Sequence, residues 1–491
     1  MGHNAATEII SITPLLAILA SATGAILIIV FRRHPNLREA VSVLAGLLKF
    51  LLVTSMVPVV LSGKVVTYQL FSIYPGINLS FRVDGFSLLF ACVSSFLWIL
   101  TTFYSIGYMR GLKEHAQTRY YTCFALTLSG AMGVAFSGSL FTLFLFYELV
   151  SIFTYPLVMH HEDEEAFTGA KKYLIYLMGS GKLFFLPAVI LTYVIAGTLD
   201  FGPSGILPAT ANHTLLIGLY ILFIAGIAKA GIAPLHSWLP SAMVAPTPVS
   251  ALLHAVAVVK VGVFCIIRVI YNVYGPELMD ILNLALPTAF FVSGTILYAS
   301  MVALTCDNLK ARLAYSTVSQ LSYIVLGASL ANLSGAKGGL IHIANHAFSK
   351  ITLFYCAGAI FVATGKKYIS QLSGLASKMP VTMTAFAIGA LSMIGVPGTA
   401  GFVTKWFLGI GCLDKGSIIL LLVILTSSLL NAGYFMPVIY SAFFKELAPE
   451  DSGLSEAPIT MVVPLALTAA ATLLLGIFPE PFLRFIQEVI Q

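Results

Sequence analysis

The sequence predicts an all-α polytopic membrane protein with about fourteen transmembrane helices. Three observations support this fold class. The mean hydropathy is +0.95, only 9% of the 491 residues are charged while 58% are hydrophobic, and apolar runs of about 20 residues recur along the whole chain. A soluble protein carries about 25% charged residues. The composition therefore excludes a soluble globule.

A sliding window of about 20 residues places the predicted spans in chain order. They cover 9–31, 40–61, 84–106, 119–137, 139–159, 172–197, 214–240, 248–272, 280–304, 312–331, 338–364, 380–413, 417–444 and 457–478. The first run is too long for a signal-peptide core and has no basic leader, so we expect a retained helix. The connection from Leu61 to Asp84 alternates like a surface hairpin, and an irregular loop fits it equally well.

Lysine and arginine are unevenly divided between alternate loops, which predicts the orientation. One set of loops contains Arg32, Arg33, Arg38, Arg110, Lys113, Arg119, Lys171, Lys172, Lys310, Arg312, Lys366, Lys367, Lys378 and Lys445, whereas the other contains Lys64, Arg82, Lys337, Lys415 and Arg484. The richer set should face the cytoplasm, so both termini are expected on the opposite side. The net charge of +6 reflects this bias, and nucleic-acid binding is not expected.

The six cysteines stand singly in apolar segments, without the paired spacing of zinc or iron–sulfur sites. They are Cys92, Cys123, Cys265, Cys306, Cys356 and Cys412. We therefore expect the chain to bind no cofactor and no metal ion, and to contain no redox centre of its own.

A small set of charged side chains lies inside the apolar runs. The basic members are Lys49, Lys182, Lys229, Lys260, Arg268, Lys350 and Lys405, and the one mid-span carboxylate is Glu148. A charged lysine at a helix centre costs roughly 2.5 to 3.5 kcal/mol on insertion scales, so such residues indicate function. Glu148 is expected to pair with a lysine, and its movement would load or release a proton. Lys49 and Arg268 lie near span ends and are expected to snorkel.

Two histidines and a lysine share one helical stripe in the span 338–364. His342, His346 and Lys350 follow each other at intervals of four residues, which suits a proton relay because each imidazole can accept and donate a proton. A two-histidine metal pair is disfavoured because no Cys, Asp or Glu on that helix completes a ligand set. A purely structural pair remains an alternative. His254 and Lys260, six residues apart, are expected at successive depths of another helix.

Glycine and proline interrupt two spans beside their lysines. Lys229 is followed by Gly231 and Pro234, and Lys405 is preceded by a second group of turn residues, Gly395, Pro397 and Gly398. Such breaks at matching places in two halves are typical of inverted-repeat transporters, in which freed backbone groups line a midplane pathway. A plain proline kink is the alternative.

Five stretches together resemble the antiporter-like membrane subunits shared by respiratory complex I, Mrp-type cation/proton antiporters and energy-converting membrane hydrogenases. They are KAGIAPLHSWLPSAMVAPTPVSALLHAVAVVKVGVF, FYELVSIFTYPL, RLAYSTVSQLSYIVLG, NHAFSKITLFYCAGAI and GVPGTAGFVTKWF. The resemblance covers nearly the whole chain. It implies N-terminal helices over 1–118, inverted five-helix repeats over 119–272 and 280–444 with discontinuous helices 7 and 12, and a last helix in 457–491.

The resemblance also implies roles for individual residues. Glu148 and Lys229 match the glutamate of the fifth helix and the lysine of the seventh helix that pair in the family. His254 and Lys260 match the connecting positions of the eighth helix, Lys350 matches the lysine of the eleventh, and Lys405 matches the terminal position of the twelfth. Lysine at that last position, where one complex I subunit has glutamate, makes the chain most similar to the Mrp D-type subunit. The largest members carry a long lateral helix after the fourteenth span, and this chain ends thirteen residues beyond that span.

Two further polar residues receive no assigned role. Lys182 departs from the small or apolar residue that the family leads us to expect, and it either tunes the Glu148–Lys229 pair or points at a neighbouring subunit. His236 lies in the motif that begins at Lys229.

The expected function is proton translocation by one subunit of a multisubunit complex in the cytoplasmic membrane of a bacterium or an archaeon. A redox-driven pump and a stand-alone cation/proton antiporter share every motif, so both stay open. A solute transporter would need other polar groups at the midplane. The chain would contribute to an oxidoreductase or antiporter as one component, with other membrane subunits as partners. Whether Na⁺ accompanies H⁺ is open, because no oxygen-rich ligand cluster stands out.

Overall fold

The computed structural model describes residues 7–490, and helices account for most of them. We number the main helices α1 to α16. Their bounds are Thr13–Val30, Pro35–Val60, Gly85–Gly111, Gln117–Ala135, Leu140–Val158, Glu164–Ala196, His213–Gly226, Thr247–Tyr274, Ala285–Thr305, Leu309–Ser329, Leu333–Thr364, Pro380–Ile394, Ala400–Asp414, Ile418–Phe444, Ile459–Ile477 and Glu480–Ile490. Three short helical turns, Trp238–Ser241, Ala242–Val244 and Pro276–Ile281, flank α8.

Ten of the helices described over residues 7–490 are long and apolar enough to cross a membrane. Two shorter apolar helices, α7 and α12, contain 14 and 15 residues. Each predicted span overlaps at least one of the helices α1 to α15, although α4 and α10 are not among these twelve. The predicted count of fourteen crossings, and their grouping into two inverted repeats, stay predictions.

The fold is mostly helical, and a small three-stranded sheet precedes α3. Its strands are β1 (Glu8–Ile10), β2 (Val65–Tyr74) and β3 (Ile77–Val83), with β1 parallel to β2 and β2 antiparallel to β3. The β2–β3 pair confirms the hairpin interpretation of the long connection. Polar and apolar residues alternate along β3, so one face is buried while the backbone pairs with β2.

Both predicted helix breaks are present. α7 ends at Gly226, and a single 3₁₀ turn, Ala228–Ala230, follows before Gly231 adopts a φ of +68°. The second break separates α12 from α13, where Gly395 and Gly398 have φ values of +93° and +86°. Glycine adopts these left-handed conformations without the steric cost of a side chain.

Two further irregularities were not predicted. α8 is interrupted between Ala255 and Val258, and α6 contains a π turn over Gly181–Phe185 that includes Lys182. No proline lies in either interruption. π turns are often found at functional sites.

The helices α8 and α11 occupy the centre of the bundle. The most apolar window of α8 is entirely buried. α11, with 32 residues, packs against α8, α10, α12, α13 and α15. Charged side chains on these two helices are therefore surrounded by protein and do not lie on the outer surface of the bundle.

A buried polar axis as the candidate functional site

Lys229 lies in the irregular segment after α7 and is fully buried. Its Nζ donates to the backbone carbonyl of Tyr147 at 2.9 Å and lies 3.2 Å from the centroid of the Tyr147 ring. Because the helix ends at Gly226, the lysine points toward α5 instead of following the α7 axis. A cation over an aromatic face is attracted by the ring quadrupole.

Glu148, the next residue on α5, makes no ion pair with Lys229 within 4.0 Å in the part of the chain that is described. Both of its carboxylate oxygens are buried and lack a hydrogen-bond partner there. The carboxylate lies against Gly181, where any side chain would collide with it. Lys182 beside it is exposed at the surface of the bundle. The structure thus brings Glu148, Lys182 and Lys229 into one region, and direct pairing of Glu148 with a lysine stays a prediction.

Lys260 and His346 are in direct contact across the α8–α11 interface. The Lys260 Nζ lies 3.0 Å from the His346 Nδ1, and both side chains are buried. Of two nitrogens at this distance, one must donate a hydrogen and the other must accept it. The pair therefore shares one proton between two groups that can each hold it.

The histidines continue this contact in two directions. The rings of His342 and His346 lie 5.6 Å apart between centroids, and the His342 Nδ1 is 3.0 Å from the Thr404 hydroxyl of α13. His254, on the other side, packs its ring 4.9 Å from that of Phe354. The break in α8 lies between His254 and Lys260, and their placement at successive depths stays a prediction.

Lys350 bonds to α10 rather than to the histidines of its own helix. Its Nζ donates to the Ser316 hydroxyl at 2.8 Å. The Tyr434 hydroxyl lies 2.9 Å from the same Ser316 oxygen and 2.5 Å from the Asn431 Oδ1. The Asn431 amide then donates to the carbonyl of Met393 at 2.9 Å.

Lys405 closes this network at the second helix break. Its Nζ donates to the carbonyls of Met393 at 3.1 Å and Ile394 at 2.5 Å, and to the Ser428 hydroxyl at 2.8 Å. These carbonyls are free because α12 ends at Ile394. An unbroken series of polar contacts therefore joins Lys350 to Lys405.

Sequence reasoning missed the three linking side chains, Ser316, Asn431 and Tyr434. Each is fully buried and comes from a helix other than the one that carries its lysine. In the sequence, each of them is marked only as a polar residue within an apolar run. Many such side chains form a hydrogen bond only to the backbone of their own helix, so the mark does not identify a linking residue. Thr317, for example, donates to the carbonyl of Leu313 four residues before it.

The structure corrects the snorkelling expectation for Lys49 and Arg268. Lys49 is fully buried, donates to the Leu128 carbonyl at 3.0 Å and lies 4.5 Å from the Trp98 ring centroid. Arg268 forms a bidentate ion pair with Asp84. Both side chains contact polar or aromatic partners inside the bundle, so they do not need to extend to the membrane surface. His236 is 8% exposed and packs against the Tyr298 ring, away from the axis.

A cavity of about 1290 Å³ opens beside one end of α8. Thr247, at the start of α8, and Lys310, at the start of α10, line it, and the Lys310 Nζ donates to the carbonyl of Ala245 at 2.7 Å. His254 lies seven residues along α8 from Thr247, which is about 10 Å at the helical rise. The cavity therefore approaches the polar axis from that end of the bundle.

Comparison with known proteins identifies the class of this fold and axis. Residues 137–431 match the family described as NADH:quinone oxidoreductase/Mrp antiporter, transmembrane region, and residues 73–121 match the N-terminal region of NADH-ubiquinone oxidoreductase (complex I) chain 5. The chain belongs to this family of antiporter-like membrane subunits, and it is an integral membrane protein.

Three similar proteins illustrate the range of the family. NADH-quinone oxidoreductase subunit N of Desulforudis audaxviator is 33% identical over 416 residues, which are 81% of each chain. The A/B component of a probable K⁺/H⁺ antiporter from Rhizobium meliloti is 34% identical over 398 residues, or 79% of this chain and 38% of that protein. A chain of the membrane-bound sulfane sulfur reductase, an archaeal respiratory membrane complex, superposes with a TM-score of 0.88 at 26% identity, covering 98% of this chain and 97% of that one.

Proposed function

We propose that this chain translocates protons along its buried polar axis as one subunit of a multisubunit membrane complex. The 3.0 Å contact between Lys260 and His346 carries the proposal, because it places two proton-binding groups in direct exchange at the centre of the bundle. A role as a solute transporter has no comparable support, since the central side chains form a chain of proton carriers rather than a binding pocket.

The proposed path joins the groups in the order in which the helices present them. Protons enter near Glu148 and Lys229, pass through His254 and Lys260, and leave near Lys350 and Lys405. His342 and His346 extend the path from α8 toward α13. The cavity beside Thr247 supplies a hydrated route to His254.

Ordered water would connect the side chains that do not touch. Several buried polar atoms along the axis have no partner among the described residues, including both nitrogens of His254, both amide atoms of Gln320 and the Nε2 of His346. Buried polar groups are normally hydrogen-bonded, and water supplies the bond where protein does not.

Several finer features belong to the same proposal. The chain binds no redox cofactor, and partner membrane subunits provide the driving force. It is a D-type subunit, which is supported by Lys405 on α13. It lies in a bacterial or archaeal cytoplasmic membrane with both termini on the non-cytoplasmic side; the end residues 1–6 and 491 lie outside the described part of the chain. Its segments 1–118, 119–272 and 280–444 act as N-terminal helices and two inverted repeats, and the segment 457–491 provides α15 as the last helix that crosses the membrane.

Two driving forces fit this proposal. The similarity to one component of a quinone oxidoreductase and to a respiratory complex favours a redox module, whereas the similarity to a probable K⁺/H⁺ antiporter favours cation exchange. Sodium is the second candidate ion in the latter case. The identity of the subunits that co-purify with the chain would distinguish a redox module from cation exchange.

The test is proton flux into liposomes that contain the purified assembly. Glu148→Ala, Lys229→Ala and Lys260→Ala should each lower flux at least about tenfold, as expected for loss of a proton-transfer group. Lys64→Ala is the matched control, because Lys64 is exposed in the turn before β2. Subunit composition is recorded for every preparation. Normal flux in the three axis variants with intact assemblies would show that the buried charges are structural.

A further inference from the structure

A cluster of histidines lies outside the polar axis, where two loops meet. The loop between α3 and α4 carries Glu114 and His115, and the loop between α5 and α6 carries His160 and His161. The Glu114 Oε2 lies 3.6 Å from the His160 Nε2, 3.7 Å from the His161 Nδ1 and 4.0 Å from the His115 Nδ1. One carboxylate oxygen is thus the common neighbour of three imidazoles.

His160 is the member of the cluster that protein contacts leave unsatisfied. Its side chain is fully buried, and neither ring nitrogen has a hydrogen-bond partner among the described residues. A buried polar group without a partner is costly. The backbone around it is well held, since the Arg119 guanidinium donates to the His160 carbonyl at 3.0 Å and pairs with Glu162. The ring thus lies 3.6 Å from the Glu114 carboxylate, and no hydrogen bond among the described residues explains its position.

Imidazole nitrogens with one carboxylate form a typical zinc ligand set. The ligand atoms of Glu114, His115 and His160 all lie within 4.8 Å of one another, and the side chains described over residues 7–486 contain no second group of three this close. Bonds of 2.0–2.1 Å to a tetrahedral zinc ion would place ligand atoms about 3.4 Å apart. Small rotations of His115 and His161, whose side chains are partly exposed, can provide that contraction.

We propose that Glu114, His115, His160 and His161 bind one divalent zinc-class ion. Glu114 and His161 also line the cavity of about 1290 Å³, which gives the ion an aqueous route to the site. Bound there, the ion would join the α3–α4 loop to the α5–α6 loop. No sequence motif indicates the site, because the Glu114–His115 pair and the His160–His161 pair lie about 45 residues apart and meet only in the folded bundle.

The experiment uses the purified assembly that contains the full chain, after removal of metal with a chelator. Zn²⁺ is titrated against a colorimetric competitor, and Co²⁺ absorption reports the ligand set. The variants are His160→Gln and Glu114→Gln, with His115→Gln as an exposed ligand whose replacement should not disturb folding. His213→Gln is the matched control, since His213 is an exposed histidine at the start of α7.

The wild type and His213→Gln should bind one zinc-class ion whose affinity falls about 100-fold or more in each of the three cluster variants. Zn²⁺ should also raise the thermal unfolding midpoint of the wild type but not that of His115→Gln. Equal Zn²⁺ affinity in wild type and the cluster variants would overturn the proposal, as would the absence of binding to the wild type. If the cluster serves only to buffer protons, the wild type should bind no Zn²⁺.

Discussion

At the scale of single residues, the ion pair between Asp84 and Arg268 shows how the bundle accommodates a buried arginine. The two guanidinium nitrogens donate to the carboxylate at 2.7 and 2.9 Å. The Asp84 Oδ1 also accepts from the backbone amide of Ser87 and so caps α3. Burial by itself would raise the pKa of Asp84, but the adjacent Arg268 charge and the Ser87 hydrogen bond outweigh burial and lower the pKa to about 2.

This ion pair predicts that Asp84→Asn loses the same amount of stability at pH 7 and at pH 5. Because the folded pKa is below the unfolded value of about 3.9, the charge stabilises the fold above about pH 4, and this contribution is lost as the pH falls through about 2. Asparagine can still cap the helix, so the charge alone is removed. We expect a loss of about 2 kcal/mol, visible as a lower unfolding midpoint in scanning fluorimetry at both pH 7 and pH 5.

The control for this prediction is Glu8→Gln, since the Glu8 carboxylate pairs with Arg82 at the exposed surface. Exposed pairs contribute about 0 to 1 kcal/mol, so its midpoint should hardly change. A difference between Asp84→Asn and wild type that disappears by pH 5 would contradict the assigned pKa.

At the scale of elements, the break between α12 and α13 positions Lys405. The break leaves the carbonyls of Met393 and Ile394 free for its ammonium group. Glycine is required at position 395 for two reasons. Its φ is +93°, and a Cβ at this position would lie 2.6 Å from the Cδ of Lys405. A side chain would therefore push the lysine away from the carbonyls that hold it.

Gly395→Ala should lower proton flux in the reconstituted assembly severalfold by displacing Lys405. Its control is Gly416→Ala, where the φ of +70° imposes a similar backbone strain but no atom lies within 4 Å of the new methyl group. Both should lose about 1 to 2 kcal/mol of stability. If the two variants conduct equally well, the position of Lys405 does not limit transport.

At the scale of the whole molecule, the distribution of loop charges predicts a definite orientation. The poorer set of loops contains Lys64 and the richer set contains Lys171, and both lysines are exposed. Basic loops are retained on the cytoplasmic side.

Cysteine labelling in intact cells checks this orientation. Lys64→Cys should react with a membrane-impermeant maleimide from outside, whereas Lys171→Cys should react only after the cells are permeabilised. The parent chain gives the background from its six cysteines, of which Cys265, Cys356 and Cys412 are buried. The reverse labelling pattern would invert the proposed topology.

The sequence by itself determined the features that depend on local chemistry. Long apolar runs can satisfy their backbone only as helices, so the membrane class and the positions of the helices followed from composition. The breaks after Gly226 and at Gly395 followed from glycine and proline, and Lys229, Lys260, Lys350 and Lys405 were identified because charge in an apolar run is costly.

Only the tertiary structure decided which of these groups meet. Helical periodicity placed His346 and Lys350 on one stripe, yet His346 contacts Lys260 of α8 while Lys350 bonds Ser316 of α10. The sequence also did not predict the partners of Lys49 and Arg268 or the cluster around Glu114. A sequence specifies which residues share a face of a helix, but not which helix packs against that face. Packing chooses that neighbour, and with it the order in which the polar groups are joined.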